Sequence, residues 1–256
     1  MSTAVPRQVD SAKKTCRIIT LLQERGPVGV TELATELGIS KSTVHGHLAT
    51  LTDTGLVVKE DHAYRLSLEF LSTAESVKSW VANPDTVREQ VRELAATTGE
   101  VVHFGAKEGD HVVYLEKGKG GSAVQTVSSV GDRMPLHSTS LGKAILGELP
   151  SAQVDEIVTE TTFTERTPHT ITDAETLHQE LETTASRGYA IDDEENILGV
   201  RCIGTPVNVS GTGGIGALSI SGPARRITDE RISSELQDQL VQTANVIEVN
   251  SLYSSS

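Results

Sequence analysis

The run Ser40-Lys41-Ser42-Thr43 sets a hydroxyl, a cation and two further hydroxyls side by side. If a helix opens here, Ser40 caps it. The unpaired amides of its first turn then join these side chains as a surface for phosphate. Lys41 is a phosphate cation, and Ser42 and Thr43 are short enough for phosphate oxygens or base edges. Val44, Leu48 and Leu51 follow at i, i+4 and i+7, so they turn inward together. The outward side is left with Lys41, Ser42, His45, Gly46 and Ala49. His45 either reads a base edge or stays solvated. His47, three residues from Val44 and four from Leu51, belongs to the core margin. The two histidines point about 200° apart on a helix and cannot share a metal.

A second group lies in the C-terminal part. Asp192, Asp193, Glu194 and Glu195 form a dense anionic run, most of which reads as a solvated loop. Asp192 follows the apolar Tyr189-Ala190-Ile191, which places it at a strand end opening on a cleft. Ser219 and Ser221 are two apart on an expected strand and share a face. They either bind a ligand carboxylate or satisfy local backbone. Ser138, Thr139 and Ser140 precede a helix, where amides and hydroxyls suit an anion. Cys202 sits among apolar residues as a buried structural thiol.

Catalysis is poorly supported. Gly211-Thr212-Gly213-Gly214-Ile215-Gly216 leads into a strand, whereas a dinucleotide loop must open a helix. Ser219 and Ser221 lack the flanking glycines of a nucleophile elbow. His103, His111, His137, His169 and His178 show no metal-ligand spacing. His137, beside the hydroxyl-rich loop, is the one candidate base. No catalytic residue, metal ligand or cofactor is assigned.

The elements that must position these groups follow from periodicity and punctuation. Cys16, Ile18, Ile19, Leu21 and Leu22 make a helical apolar face that stops before Gly26-Pro27. Thr31 caps a helix over 32–37 that Gly38 ends. A helix from Ser40 to about Asp53 ends at Gly55. Apolar runs 56–58 and 63–66 around a polar turn, 59–62, read as a hairpin. Two helices joined by a short turn, then a hairpin, make a winged helix-turn-helix, with Arg65 on the wing. Helical spacing from Phe70 to Trp80 marks a linker and dimer contact. Asn83-Pro84 opens the next helix, over 85–98. Beyond it the chain mixes strands (101–106, 111–116, 202–209, 215–221) with helices (141–149, one opened near Thr172 and running to Arg187, and a last one capped by Thr228). Thr172-Asp173-Ala174-Glu175 is a capping-box pattern. The expected fold class is α+β: residues 1–67 a winged helix-turn-helix, 68–82 a linker helix, and 83–256 an α/β domain.

Charge supports the same division. Residues 1–66 carry eight Lys/Arg against seven Asp/Glu, and residues 67–256 carry 14 against 28. A near-neutral head on a strongly acidic body implies different partners. With nine lysines in a chain of net charge −13, the composition fits solubility in concentrated salt, as in a halophile. Hydrophobic residues at 37% of the chain exclude disorder throughout. No run of 18 apolar residues and no apolar leader over 1–10 implies a cytoplasmic chain without a membrane segment. Two distant cysteines exclude a disulfide framework. The head carries few cations, so one copy binds DNA weakly. A dimer on a pseudo-palindromic operator, with half-sites about one or two turns apart, compensates.

The sequence resembles the isocitrate lyase regulator (IclR) family of transcription factors. In the head the matching stretches are Val30-Thr31-Glu32-Leu33-Ala34, Gly38-Ile39-Ser40-Lys41-Ser42-Thr43-Val44 and Tyr64-Arg65-Leu66. In the body they include Met134-Pro135-Leu136-His137, Gly142-Lys143-Ala144, Arg187-Gly188-Tyr189-Ala190, Gly199-Val200-Arg201-Cys202-Ile203 and Ala217-Leu218-Ser219-Ile220-Ser221-Gly222-Pro223. The helix-turn-helix reading itself places Ser40, Lys41, Ser42, Thr43, His45 and Gly46 at the DNA and lets Arg65 reach the neighbouring backbone. The resemblance implies a GAF-like effector-binding domain whose pocket is lined by Ser140, Leu141, Asp192, Cys202, Ser219 and Ser221. The implied effectors are small organic, aromatic or sugar-derived acids, and the implied assembly is a homodimer or dimer of dimers. The family commonly has an arginine where this chain has Gly46, in keeping with the low cation count. The acidity resembles haloarchaeal members. The function expected is ligand-responsive regulation of a catabolic operon. The alternative is a DNA-binding protein whose C-terminal domain is a ligand-free dimerisation platform.

Overall fold

A computed structural model describes residues 8–123, 128–209 and 214–253. The glycine-rich turn at 211–213, most of residues 1–10 and the serine-rich end at 254–256 lie outside the described residues. The chain divides into two compact units, Met1–Ser76 and Val77–Ser256.

In the first unit, α1 (Asp10–Arg25) is followed by a two-residue strand, β1 (Val28–Gly29), then α2 (Val30–Leu37), α3 (Lys41–Asp53), β2 (Val57–Glu60) and β3 (Ala63–Leu66). The strands lie in the order β1-β3-β2, all antiparallel. Gly38 adopts the left-handed conformation at φ 64°, and the Ile39 amide reaches back to Ala34 O. That closes α2 in a Schellman turn and aims the chain into α3. Ile18, Leu22, Leu33, Leu37, Val44, Leu48, Leu51, Val57 and Tyr64 form the core.

Helix α4 (Glu69–Val81) contains the division between the units. The second unit continues with α5 (Pro84–Thr98), β4 (Val101–Glu108), β5 (His111–Lys119), β6 (Arg133–Pro135), α6 (Ser140–Glu148), α7 (Ser151–Glu160), α8 (Ala174–Arg187), β7 (Ala190–Asp193), β8 (Val200–Val209) and β9 (Gly214–Pro223). It ends with α9 (Asp229–Arg231), a π-helical turn (Ile232–Leu236) and α10 (Gln237–Tyr253). The sheet order is β6-β5-β4-β9-β8-β7, with every pairing antiparallel. One face, with Val102, Phe104, Ile203, Leu218 and Ile220, joins the core of α5 and α10. The other, with Val112, Tyr114 and Ala217, joins the core of α6, α7 and α8. Glu100, buried just ahead of β4, accepts hydrogen bonds from Arg226 (2.9 and 2.5 Å) and Arg231 (2.9 Å). Arg231 also donates to Thr98 O at 2.8 Å.

The structure corrects several local expectations. Cys16 is exposed rather than part of the apolar face of α1. Helix α2 starts at Val30 with Gly29 as its cap, so Thr31 does not cap it. Asp173, not Thr172, caps α8, accepting from the Thr176 amide at 2.8 Å. The wing turn is shorter than 59–62, because Lys59 and Glu60 are paired in β2. Helix α6 begins at Ser140, one residue early, and β8 begins at Val200, two residues early.

Candidate functional site

Ser40 caps α3, its hydroxyl accepting from the Thr43 amide at 3.1 Å. The Ser40 and Thr43 hydroxyls lie 2.8 Å apart. Val44, Leu48 and Leu51 are buried, whereas Ser40, Lys41, Ser42, His45, Gly46 and Ala49 are exposed and Thr43 is half-buried. The outward stripe is therefore exposed along its length, polar at Ser40, Lys41, Ser42 and His45 and small at Gly46 and Ala49. His47 is half-buried, with Nδ1 2.8 Å from the Thr15 hydroxyl on α1, as its core-margin position requires. A Cβ placed on Gly46 would meet nothing within 4 Å. Arg65 is half-buried and committed within the wing. Its Nε and Nη2 donate to Glu60 (2.8 and 2.5 Å), and Nη1 donates to Leu66 O at 3.1 Å.

In the second unit, strand register builds the other site. Asp192 on β7 is opposite Cys202 on β8, and Cys202 is opposite Ser221 on β9. One step along, Gly204 is opposite Ser219, which is opposite His103 on β4. Directly opposed residues of antiparallel strands share a face, so these two rows make one polar floor. Helix α6 starts above it. At Gly204 a Cβ would lie 2.7 Å from Ser140 O, so only glycine admits so close an approach of helix to sheet. Thr139 caps α6 through the Gly142 amide at 3.1 Å. The Ser140 and Leu141 amides, at the first two helical positions, have no intrahelical acceptor.

Ser140, Leu141, Asp192, Cys202, Ser219 and Ser221 line one cavity of about 50 Å³, measured as space open to the centre of a water molecule. All six are at most 8% exposed. His103, Tyr114, Ser128, Met134, Thr139, Asn196, Ile197 and Val200 complete the lining.

The charges in this cavity are mostly suppressed. Burial, with help from Glu195, pushes the Asp192 carboxyl up to about 7. Its Oδ1 accepts from the Glu195 and Asn196 amides at 2.8 and 3.2 Å. Burial, then Lys117, pushes His103 down to about 3, so it stays neutral. Its Nε2 is 2.9 Å from the Ser128 hydroxyl and its ring stacks on Tyr114 at 4.5 Å. Its Nδ1 has no partner among the described residues. Burial pushes the Cys202 thiol well above its ordinary range. A thiol held protonated is not a nucleophile. Beneath the Asp192 turn, the buried Lys143 ammonium donates to Glu195 and lies 3.4 Å from Glu180, which also holds Arg187 at 2.7 Å.

Sequence reading did not single out Tyr114, Asn196 or the Lys143–Glu195 pair, and it considered His103 only as a metal ligand. Period-two patterning carried a signal for His103, since it shares a face of β4 with the buried Val101. Its place opposite Ser219 emerges only from the pairing of β4 with β9. Among the described residues no cluster of three or more His, Cys, Asp or Glu could hold a metal ion.

Residues 11–61 match the family described as IclR helix-turn-helix domain, and residues 85–249 match Bacterial transcriptional regulator IclR C-terminal. The chain is 36% identical over 228 residues to the HTH-type transcriptional regulator KdgR of Dickeya chrysanthemi, spanning 88% of this chain and 74% of that one. It is 29% identical over 248 residues to the Probable HTH-type transcriptional regulator ArcR of Halobacterium salinarum, spanning 95% and 94%. The crystal structure of the Thermotoga maritima IclR superposes with a TM-score of 0.80 at 31% identity, covering 97% of this chain and 100% of that one. Both sequence relatives bear regulators' names and neither bears an enzyme's.

Proposed function

The chain belongs to the IclR family of DNA-binding transcriptional regulators, and from that premise we propose that it is a ligand-responsive regulator of a catabolic operon whose effector is a small organic or sugar-derived acid. The observation that carries this reading is the convergence of Ser140, Leu141, Asp192, Cys202, Ser219 and Ser221 on one buried cavity. At the α6 end, two helix amides and the Ser140 hydroxyl suit a carboxylate. At the sheet end, Asp192 keeps its proton below about pH 7. A neutral carboxyl there donates to a ligand hydroxyl or carboxylate instead of repelling an anion. Ser219, Ser221 and the neutral His103 supply further hydrogen bonds.

In this reading the ligand biases two arrangements of the regulator, with a coupling of about 1–3 kcal/mol between effector and operator. Ser40, Lys41, Ser42, Thr43, His45 and Gly46 face the DNA. Arg65 reaches a phosphate only by giving up Glu60. So sparse a set of cations favours a homodimer or dimer of dimers on a pseudo-palindromic operator. We place the protein in the cytoplasm, where its DNA is. Among the described residues no helix is long and apolar enough to cross a membrane.

Thermal unfolding of the full chain in molar salt, against a panel of small organic acids, tests the reading. A saturating effector at 100 times its Kd adds about 2.7 kcal/mol, which for a chain of this size raises Tm by roughly 5–10 °C. Ser219→Ala with Ser221→Ala is expected to blunt that shift and leave operator affinity intact. No stabilisation by any acid in the panel would replace this reading with the ligand-free dimerisation platform.

A further inference from the structure

A second concavity of the C-terminal unit lies outside the cavity described above. It is a cleft of about 360 Å³, by the same measure, beside β6 and the loop that follows α7. Its cationic lining stands out in so acidic a unit. Arg88, Arg187, Arg201, Arg226 and Arg231 each hold a carboxylate. Four arginines of this unit, Arg92, Arg133, Arg166 and Arg225, hold none among the described residues, and of these Arg133 and Arg166 line this cleft. Arg133 places Nη2 3.1 Å from His111 Nδ1, and Arg166 spends only Nε, on Asn196 O at 3.4 Å.

Two buried imidazoles share the lining. His111 donates from Nδ1 to the Asp110 carboxylate at 2.7 Å, and His137 bonds the Thr164 backbone and meets the Phe163 ring edge-on at 5.3 Å. His111 and His137 are 8% and 3% exposed, and the Nε2 atom of each has no hydrogen-bond partner among the described residues, although the Glu108 carboxylate lies 3.9 Å from that of His111. The Thr162 and Thr164 hydroxyls add exposed donors. Asp110, already engaged by His111, is the carboxylate of the lining.

We propose that this cleft is a second binding site, for a small dianionic oxyanion. Two guanidinium groups without carboxylates offer planar forks to such a group. With Nδ1 of His111 donating to Asp110 and His137 donating to the Thr164 backbone, the two Nε2 atoms are acceptors that a ligand hydroxyl, such as that of hydrogen phosphate, would satisfy. Met134 lines both the cleft and the buried cavity. The two sites are neighbours, and the test must tell them apart.

Calorimetric titration of the full chain, at constant chloride and ionic strength, uses inorganic phosphate in one arm and malonate in the other. The expected result is saturable binding of one anion per chain, weakened at least tenfold by Arg133→Ala with Arg166→Ala and unchanged by Ser219→Ala with Ser221→Ala. Binding of phosphate alone assigns the site to a phosphate monoester. Binding of malonate alone assigns it to a dicarboxylate. If the alanine pair fails to fold by circular dichroism, Arg133→Lys with Arg166→Lys decides, since ammonium groups lack the fork and should bind at least threefold more weakly. Three results would overturn the proposal: no saturable binding of either anion, full binding by the arginine variants, or loss of binding in the serine variant.

Discussion

Ser40 and Ser42 on the recognition helix carry the same hydroxyl as Ser219 and Ser221 in the cavity, in opposite surroundings. The first pair is exposed, while the second is 2% and 7% exposed. On the helix a polar side chain keeps its water until DNA arrives and costs folding nothing. In the cavity every polar group has already lost its water. It must be satisfied by a neighbour, held neutral or left for a ligand. Apart from Ser40, whose hydroxyl caps the helix, the exposed side of the helix can therefore change at little cost to stability, whereas in the cavity any group free to meet a ligand is also part of the packing.

The sharpest way to break this contrast is at Lys143, the buried cation beneath the Asp192 turn. Lys143→Met should cost about 3–5 kcal/mol, because Glu195 would be left as a buried charge without its partner. Urea unfolding reads this, and adding Glu195→Gln should recover most of the loss. A cost as small as that of a surface substitution would show that the cavity floor is not held by its charges.

Asp192 gives the next largest effect, and its sign follows from the shift. Its folded value of about 7 lies above the ordinary carboxyl value. The unfolded chain therefore ionises first, and the native state loses about 1.4 kcal/mol per pH unit between roughly pH 4 and 7. Asp192→Asn should thus stabilise the protein at pH 8, with the gain shrinking as pH falls towards 4. Thermal unfolding at pH 8 and pH 5 checks it. Equal effects at the two values would mean that the carboxyl ionises normally in its cavity.

The smallest effect is on the head. Gly46→Ala should gain up to about 1 kcal/mol, since Gly46 is in a helix interior with open space around it. Gly46→Arg should tighten DNA binding and steepen the dependence of log K on log salt by about 1. Both are read without touching the cavity. A destabilised Gly46→Ala would show that this surface is less free than the contrast requires.

The recognition helix was legible because its determinants are local. Ser40 caps it, Gly38 sets the turn, and Val44, Leu48 and Leu51 set its phase within one short stretch. Strand β1 was not legible, because two residues carry no period. Helix α7 was missed for a related reason: it has no side-chain cap, and it buries only Val154 and Val158. The lining residues suggested by family resemblance came together in one cavity, but the groups that set its electrostatics did not announce themselves. Lys143 meets Glu195 across 52 positions. His103 joins the floor only because β9 pairs with β4. Contacts of that kind belong to topology, and no local pattern encodes them.

The sheet order also bears on biosynthesis. The last strand to be translated, β9, occupies a central position between β4 and β8. Arg226 and Arg231, the partners of Glu100, follow it. A ribosome that stalls before this stretch leaves two long strand margins bare in the nascent chain, a template for clumping and for proteases. The winged head is complete by residue 76 and can fold as it emerges. The C-terminal unit must wait for nearly its whole message to be read before its sheet can close.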